Sequence, residues 1–304
     1  MLLTRRAREL ARHLPSAAEG EDHSVHQARV ASRRLRESLP VLAMGLERGR
    51  KARRKVRRVT RALGTVREMD VTMLILDELA ARPGMPRAAL EDVRGHVLAE
   101  RDRRRRVMLT RLRKLNTAKL MRRLEEVAIE VTENDRSWRD TLATRAVRRA
   151  KRFTAGIQAA GQIYSPDRLH VVRLATKKLR YVLELAVDTG VRQAAAPVRT
   201  LKRLQATLGR LNDLNVLMTH VAAVQSNPPS KRGATQPALD ALARLLEEEC
   251  RHLHARYTKQ VPALLALADT ARTAIAPLIA TSGVRRPLKS APRTQSSQPA
   301  VRRA

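Results

Sequence analysis

An eleven-residue segment occurs twice in this chain, and that recurrence limits what the chain can fold into more than any other feature. Residues 26–36 read His-Gln-Ala-Arg-Val-Ala-Ser-Arg-Arg-Leu-Arg, and residues 170–180 read His-Val-Val-Arg-Leu-Ala-Thr-Lys-Lys-Leu-Arg. Both fit H-x-x-R-[VL]-A-[ST]-[RK]-[RK]-L-R. Downstream, L-G-T-V-R-E-M-D-V opens at Leu63 and L-G-R-L-N-D-L-N-V at Leu208. The first motif repeats at a spacing of 144 residues and the second at 145, so one register links both. Two Arg-rich helices can match by accident in one segment, but hardly in two segments at a shared offset. The chain reads as two copies of one unit, about 4–135 and about 136–280, followed by a tail over 281–304.

The unit is helical. Only Trp138, Phe153, Tyr164, Tyr181 and Tyr257 are aromatic, which argues against a β-sandwich and against a single-strand binder built on stacking platforms. Ala, Leu, Arg and Glu, all good helix formers, dominate the rest. The spacing of Pro and Gly predicts an all-α protein with helices over Thr4–His13, ending near Pro15, and from about Ser24 to Gly45, with a kink at Pro40. Others are expected over Lys51–Ala81, Arg87–Leu115, Ala118–Val131, Trp138–Gln162, Asp167–Val187, Ala196–Val224, Leu239–Thr258 and Pro262–Ala280. Gln225–Pro237, with Pro228, Pro229 and Gly233, reads as a mobile loop, and Thr281–Ala304 as a disordered basic tail. Cys250 stands alone, which excludes an internal disulfide framework and a multi-cysteine zinc site. No apolar run approaches a membrane span and the start lacks the apolar core of a signal peptide, so a cytoplasmic protein is expected.

The charge balance points to a partner. With 62 Lys and Arg against 29 Asp and Glu, the net charge is +33, which calls for a polyanion. On a helical wheel with His26 at the origin, Arg29, Arg33 and Arg36 fall at about 300°, 340° and 280°. They form a stripe with the histidine at its edge, opposite Ala28, Ala31, Leu35, Leu39 and Leu42. The second copy repeats the wheel with His170, Arg173, Lys177 and Arg180 opposite Val172, Ala175, Leu179, Leu183 and Ala186. Arg34 and Lys178 flank the far side. Ordinary exposed faces mix signs at four-residue spacing, whereas these stripes contain no acid. Two such stripes brought face to face repel each other unless an anion lies between them. On the next helix of each copy, Arg54, Arg57, Arg61 and Glu68 share a face, as do Arg199, Lys202 and Asp213. Glu68 and Asp213 read equally well as holders of a motif arginine or histidine and as plain structural ion pairs. Leu63-Gly64 and Leu208-Gly209 predict close helix–helix approach, because an interior glycine costs about 1 kcal/mol.

The doubled H-x-x-R-x-x-[ST]-[RK]-[RK]-L-R segment, each copy followed by L-G-x-[VL]-[RN]-[DE]-[ML]-[DN]-V, resembles the CHAD family, named for conserved histidines in an α-helical domain. The resemblance covers residues 4–280. It implies two four-helix bundles related by an internal twofold and enclosing a basic channel that binds inorganic polyphosphate, with association to polyphosphate granules. Carried over, the binding positions are His26, Arg29, Arg33, Arg34, Arg36, His170, Arg173, Lys177, Lys178, Arg180 and Lys202, with Arg57 the repeat partner of Lys202; Arg54 and Arg199 share the faces of these last two. Glu68 departs mildly from the family's usual Asp, and no E-x-E-x-K strand of a fused triphosphate-tunnel domain is present.

Three functions follow for testing. The first is non-catalytic polyphosphate binding, with no metal and no cofactor. The second is non-specific nucleic-acid binding through the runs Arg50–Arg61 and Arg101–Arg123 and the tail. The third is a phosphohydrolase with a divalent metal on His26, His170, Glu68 and Asp213, disfavoured because the surrounding cations repel a metal. Apolar helix faces leave room for a dimer, and sequence does not fix the oligomeric state.

Overall fold

The computed structural model describes residues 2–133, 138–227 and 235–280, and it contains no strand among them. Ten α-helices account for most of these residues. They are α1 (Leu2–Glu19), α2 (Asp22–Leu42), α3 (Glu47–Ala62), α4 (Gly64–Ala80), α5 (Arg87–Arg113), α6 (Thr117–Glu133), α7 (Trp138–Ala160), α8 (Pro166–Asp188), α9 (Ala195–Ser226) and α10 (Gln236–Ala280). The all-α class read from the sequence is what the chain adopts. The heart of the expected loop (228–234) and the basic tail (281–304) lie outside the described residues.

Three helix boundaries differ from expectation, each for a packing reason. α1 runs straight through Pro15, because Leu3, Ala7, Leu10, Leu14 and Ala17 carry one buried stripe across it while Pro15 itself faces out. It ends instead at Gly20, whose φ of +94° lets Glu21 N–H reach back to the carbonyl of Ser16. Pro262 is likewise exposed inside α10, where the buried spacing of Tyr257, Leu264, Ala268, Ala271 and Ile275 continues. A proline on the outer face leaves the carbonyl four residues before it to water, so tertiary burial outweighs the local penalty. The third departure is a break: the single helix expected over Lys51–Ala81 divides at Leu63-Gly64.

That break separates two cores. α1, α2, α3 and α6 close one four-helix ring around Leu10, Leu35, Val56 and Leu124, with Met108 and Leu112 from the end of α5. α7, α8, α9 and α10 close a second ring around Phe153, Leu179, Leu214 and Tyr257. α4 and the start of α5 form a hairpin whose Met69, Leu76, Leu90 and Val93 join the second core. Leu63 and Val66 belong to the first core and Met69 to the second, so the chain crosses over within about two turns. At the corresponding place in the other half, Leu208-Gly209 sits inside unbroken α9. One motif thus bends a helix in one half and leaves it straight in the other.

The bundles meet where α2 packs against α7 and α8. A half-buried ion pair ties them on one flank: buried Arg6 of α1 donates to Asp188 Oδ2 at the end of α8 over 2.5 Å, and to the Arg34 carbonyl over 3.3 Å.

Candidate functional site

Both repeated segments start near a capped helix N-terminus. Glu21 accepts from the backbone N–H groups of His23 and Ser24 at the head of α2. Ser165 caps α8, with Pro166 at its first turn. Ala28, Ala31, Leu35 and Leu39 then sink into one core, and Val172, Leu179, Leu183 and Ala186 into the other. The small [ST] position of the motif is buried in both copies. Ser32 donates to the Arg29 carbonyl and accepts from Thr60, whereas Thr176 donates to the Val172 carbonyl. With these faces anchored, Arg29, Arg33, Arg173, Lys177 and Arg180 of the basic stripes turn toward the seam between α2 and α8.

Tyr181 marks that seam. The Arg33 guanidinium of α2 lies 5.1 Å from its ring centre and that of Arg180 in α8 lies 4.7 Å away. One ring therefore holds an arginine from each motif by cation–π attraction, and neither guanidinium spends its hydrogen-bonding edge on it. The sequence reading passed over Tyr181, although it directly follows the second motif in a chain with five aromatic residues.

The charges around it are unbalanced. Burial, then the fields of Arg173, Arg33 and Arg29, push the Lys177 ammonium down to about 7, with Asp213 opposing weakly. Burial and Arg33 bring Arg29 down to about 10. Asp213 approaches Arg173 at 3.8 Å, and Glu184 approaches Arg180 at 3.3 Å. Five cations (Arg29, Arg33, Arg173, Lys177, Arg180) thus share the seam with Asp213 and Glu184, and Glu68 adds its field at Arg173. The Nε atoms of Arg173 and Arg180 are buried and have no acceptor among the described residues. Buried donors without acceptors are costly, and an anion is the group that would satisfy several at once.

The other sequence candidates spread around this centre. Arg34, Arg199 and Lys202 line a cavity of about 590 Å³ beside the seam, together with Arg5 and Arg6 and with Glu9, Glu184 and Asp188. Arg34 is partly spent on Glu9 at 3.3 Å. On the opposite side Arg36 meets Glu37, which also faces Arg145 of α7. Arg145 and Arg149 are both depressed, chiefly by burial, and the Arg149 Nε is buried without an acceptor. This α7 stripe, Arg145, Arg148, Arg149 and Arg152, escaped the sequence reading because it lies outside the two repeated motifs; its three- and four-residue spacing was visible.

His26 is half-buried and its Nδ1 has no partner among the described residues. Burial first, then Arg67, His23 and Arg29, lower its pKa, against Asp70. His170 is exposed and bonds Asn212 Oδ1 at 2.9 Å, so the two histidines occupy different surroundings. Lys178, Arg54 and Arg57 are exposed, and Arg54 lies in the field of Glu47. Of the two acids, Asp213 faces a motif arginine, whereas Glu68 pairs with Arg104 of α5 at 2.6 Å. His170 bonds Asn212, Asp213 approaches Arg173, Glu68 pairs with Arg104 and His26 Nδ1 has no partner among the described residues, and no cluster among them is suited to a metal.

The glycine expectation needs correcting. A Cβ on Gly64 would lie 2.8 Å from Arg29 Nη1, so Gly64 makes room for a motif arginine and not for a helix backbone. Gly209 has nothing within 4 Å. The Arg101–Arg123 run is also less available than its charge suggests. Arg101 binds Asp70 and Asp22, Arg104 binds Glu68 and Glu100, and Arg105 binds Asp22. No described helix is long and apolar enough to cross a membrane.

A model of the CHAD domain family matches residues 1–222. Among solved structures, the CHAD domain from the plant Ricinus communis shares 20% identity over 88% of this chain and 89% of its own, with a TM-score of 0.58. PptA from Streptomyces chartreusis shares 18% identity over 91% of this chain and 96% of its own, with a TM-score of 0.51. These likenesses speak to the fold. No curated protein matches.

Proposed function

Because the chain belongs to the CHAD domain family, we propose that it binds inorganic polyphosphate along the α2–α8 seam, as a receptor without catalysis. The carrying observation is the charge imbalance at Tyr181, where five cations face Asp213, Glu184 and the field of Glu68, and two buried guanidinium Nε atoms lack acceptors among the described residues. The arginine forks would grip phosphoryl oxygens bidentately and Lys177 would serve as a point charge. A chain suits this surface better than a single phosphate. Arg29, Arg33 and Arg36 alone extend over about 10 Å of α2. Beyond them lie the Arg199 and Lys202 cavity on one side and Arg145 and Arg149 on the other. Residence in the cytoplasm at polyphosphate granules belongs to the same proposal.

Nucleic acid is the competing polyanion, and it loses ground because much of the α5 arginine run is already paired. Calorimetric titration with orthophosphate, pyrophosphate and long chains tests the reading at physiological salt. Affinity should rise steeply with chain length, and the long chain should raise the melting temperature of the wild type but not of Arg33→Glu/Lys177→Glu. Equal affinity for orthophosphate and long chains, or displacement of polyphosphate by duplex DNA, would refute it.

A further inference from the structure

α3 carries one sign of charge over almost all of its outward surface. Of its residues that are not buried, all but Glu47 are Lys or Arg, nine cations between Arg48 and Arg61. Glu47 holds Lys51 at 2.9 Å and approaches Arg50 at 3.9 Å. The other seven cations make no ion pair among the described residues, whereas Arg101, Arg104 and Arg105 of α5 are all held by acids. α6 extends the surface: Lys55 lies in the fields of Lys119 and Arg123 of α6 and of Arg58, all of one sign. Like charges three and four residues apart destabilise a helix, so this face weakens α3 unless an anion covers it. Ala52, Val56 and Val59 are buried, which leaves α3 no outward apolar side chain to enter a bilayer. Neither α3 nor α6 contains an aromatic residue on which an unpaired base could stack. α3 packs mainly on α2 and α6, whereas the seam lies between α2 and α8.

We propose that the α3–α6 face docks the sugar-phosphate backbone of duplex DNA, at a site separate from the α2–α8 seam. Arg48 to Arg61 extend along about 20 Å of helix. A duplex carries about one phosphate per 1.7 Å, so about a dozen phosphates lie within that length. α6 adds a second row of cations about 8–10 Å away, and the two rows together suit two strands, where a single thread engages one row. The contacts go to phosphates and not to base edges, so binding does not depend on base sequence. Occupation of the seam by polyphosphate is not required for any of this.

Fluorescence anisotropy of the whole chain with a labelled duplex of about 20 base pairs, over a salt series, tests the face. Arg58→Glu/Lys119→Glu removes two phosphate contacts. It should lower affinity about thirtyfold at about 0.15 M salt and flatten the salt slope by about 1.8. Arg251→Glu/Arg256→Glu makes the same change of net charge on the exposed side of α10 and should cost less than about threefold, because distant charges are screened. In the wild type, bound duplex should shield Lys55 and Lys119 from an amine-modifying reagent and leave Lys259 of α10 reactive. Arg33→Glu/Lys177→Glu should keep the duplex while losing long-chain polyphosphate, and Arg58→Glu/Lys119→Glu should do the reverse. Equal losses in the Arg58/Lys119 and Arg251/Arg256 proteins, no shielding of Lys55 and Lys119, or loss of the duplex in Arg33→Glu/Lys177→Glu would overturn the proposal. So would tighter binding of the single strand, or release of the duplex by anionic phospholipid vesicles at equal phosphate. Duplex binding at this face without any polyphosphate binding would support it and refute the seam reading.

Discussion

Filling the seam with a polyanion should pull a proton onto Lys177. In the free protein, burial and the fields of Arg173, Arg33 and Arg29 set this ammonium near 7, against the opposing field of Asp213. Phosphoryl oxygens reverse the sign of the dominant field and return the lysine toward its ordinary value above 10. At pH 8 the free protein carries about 0.1 proton on this amine and the complex about 1, so binding takes up about 0.9 proton. The uptake falls to about 0.5 at pH 7 and about 0.1 at pH 6. The sign follows from the depressed free value: through this group affinity weakens as pH climbs above 7, by up to about tenfold per unit. Long chains keep the titrating phosphate termini few. Calorimetry at pH 8 in two buffers of different ionisation enthalpy, Tris and HEPES, measures the uptake directly. The Lys177→Arg protein, permanently charged, should show little. Buffer-independent heats for the wild type, or the same uptake in Lys177→Arg, would refute the reasoning.

The glycine geometry makes a paired prediction. Gly64→Ala should displace the mobile end of Arg29 and weaken polyphosphate binding severalfold, whereas Gly209→Ala meets open space and should stabilise α9 by about 0.5–1 kcal/mol in denaturant titrations. Replacing Tyr181 by Leu removes two cation–π contacts of about 0.5–1 kcal/mol each. Affinity by titration should drop while Tyr181→Phe keeps it; unchanged binding in the Leu protein would strip the ring of its positioning role. Asp188→Asn leaves the buried Arg6 charge without its partner, and because Asp188 is partly exposed the expected loss is about 1–3 kcal/mol in chemical unfolding. Replacing the pair together, as Arg6→Met/Asp188→Leu, should restore most of it.

The repeated segments were legible because helical periodicity puts His26, Arg29, Arg33 and Arg36 on one side and Leu35 and Leu39 on the other whatever the chain packs against. Alternation of apolar and basic faces thus determined the all-α class and the cationic stripes before any contact was known. Three-dimensional packing decided the rest. Pro15 and Pro262 look like stops locally, yet each lies on the outer face of a helix whose buried stripe continues past it. Leu63-Gly64 and Leu208-Gly209 are nearly the same sequence, and only the first stands where the chain must leave one core for the other. Glu68 and Asp213 occupy matching positions, but one neighbours Arg104 and the other Arg173. Tyr181 and the α7 arginines entered the site only because α2 packs against α7 and α8. Periodicity is a property of one helix and can be read along the chain. Which charges share a seam depends on contacts between distant segments, and those arise only when the two cores close.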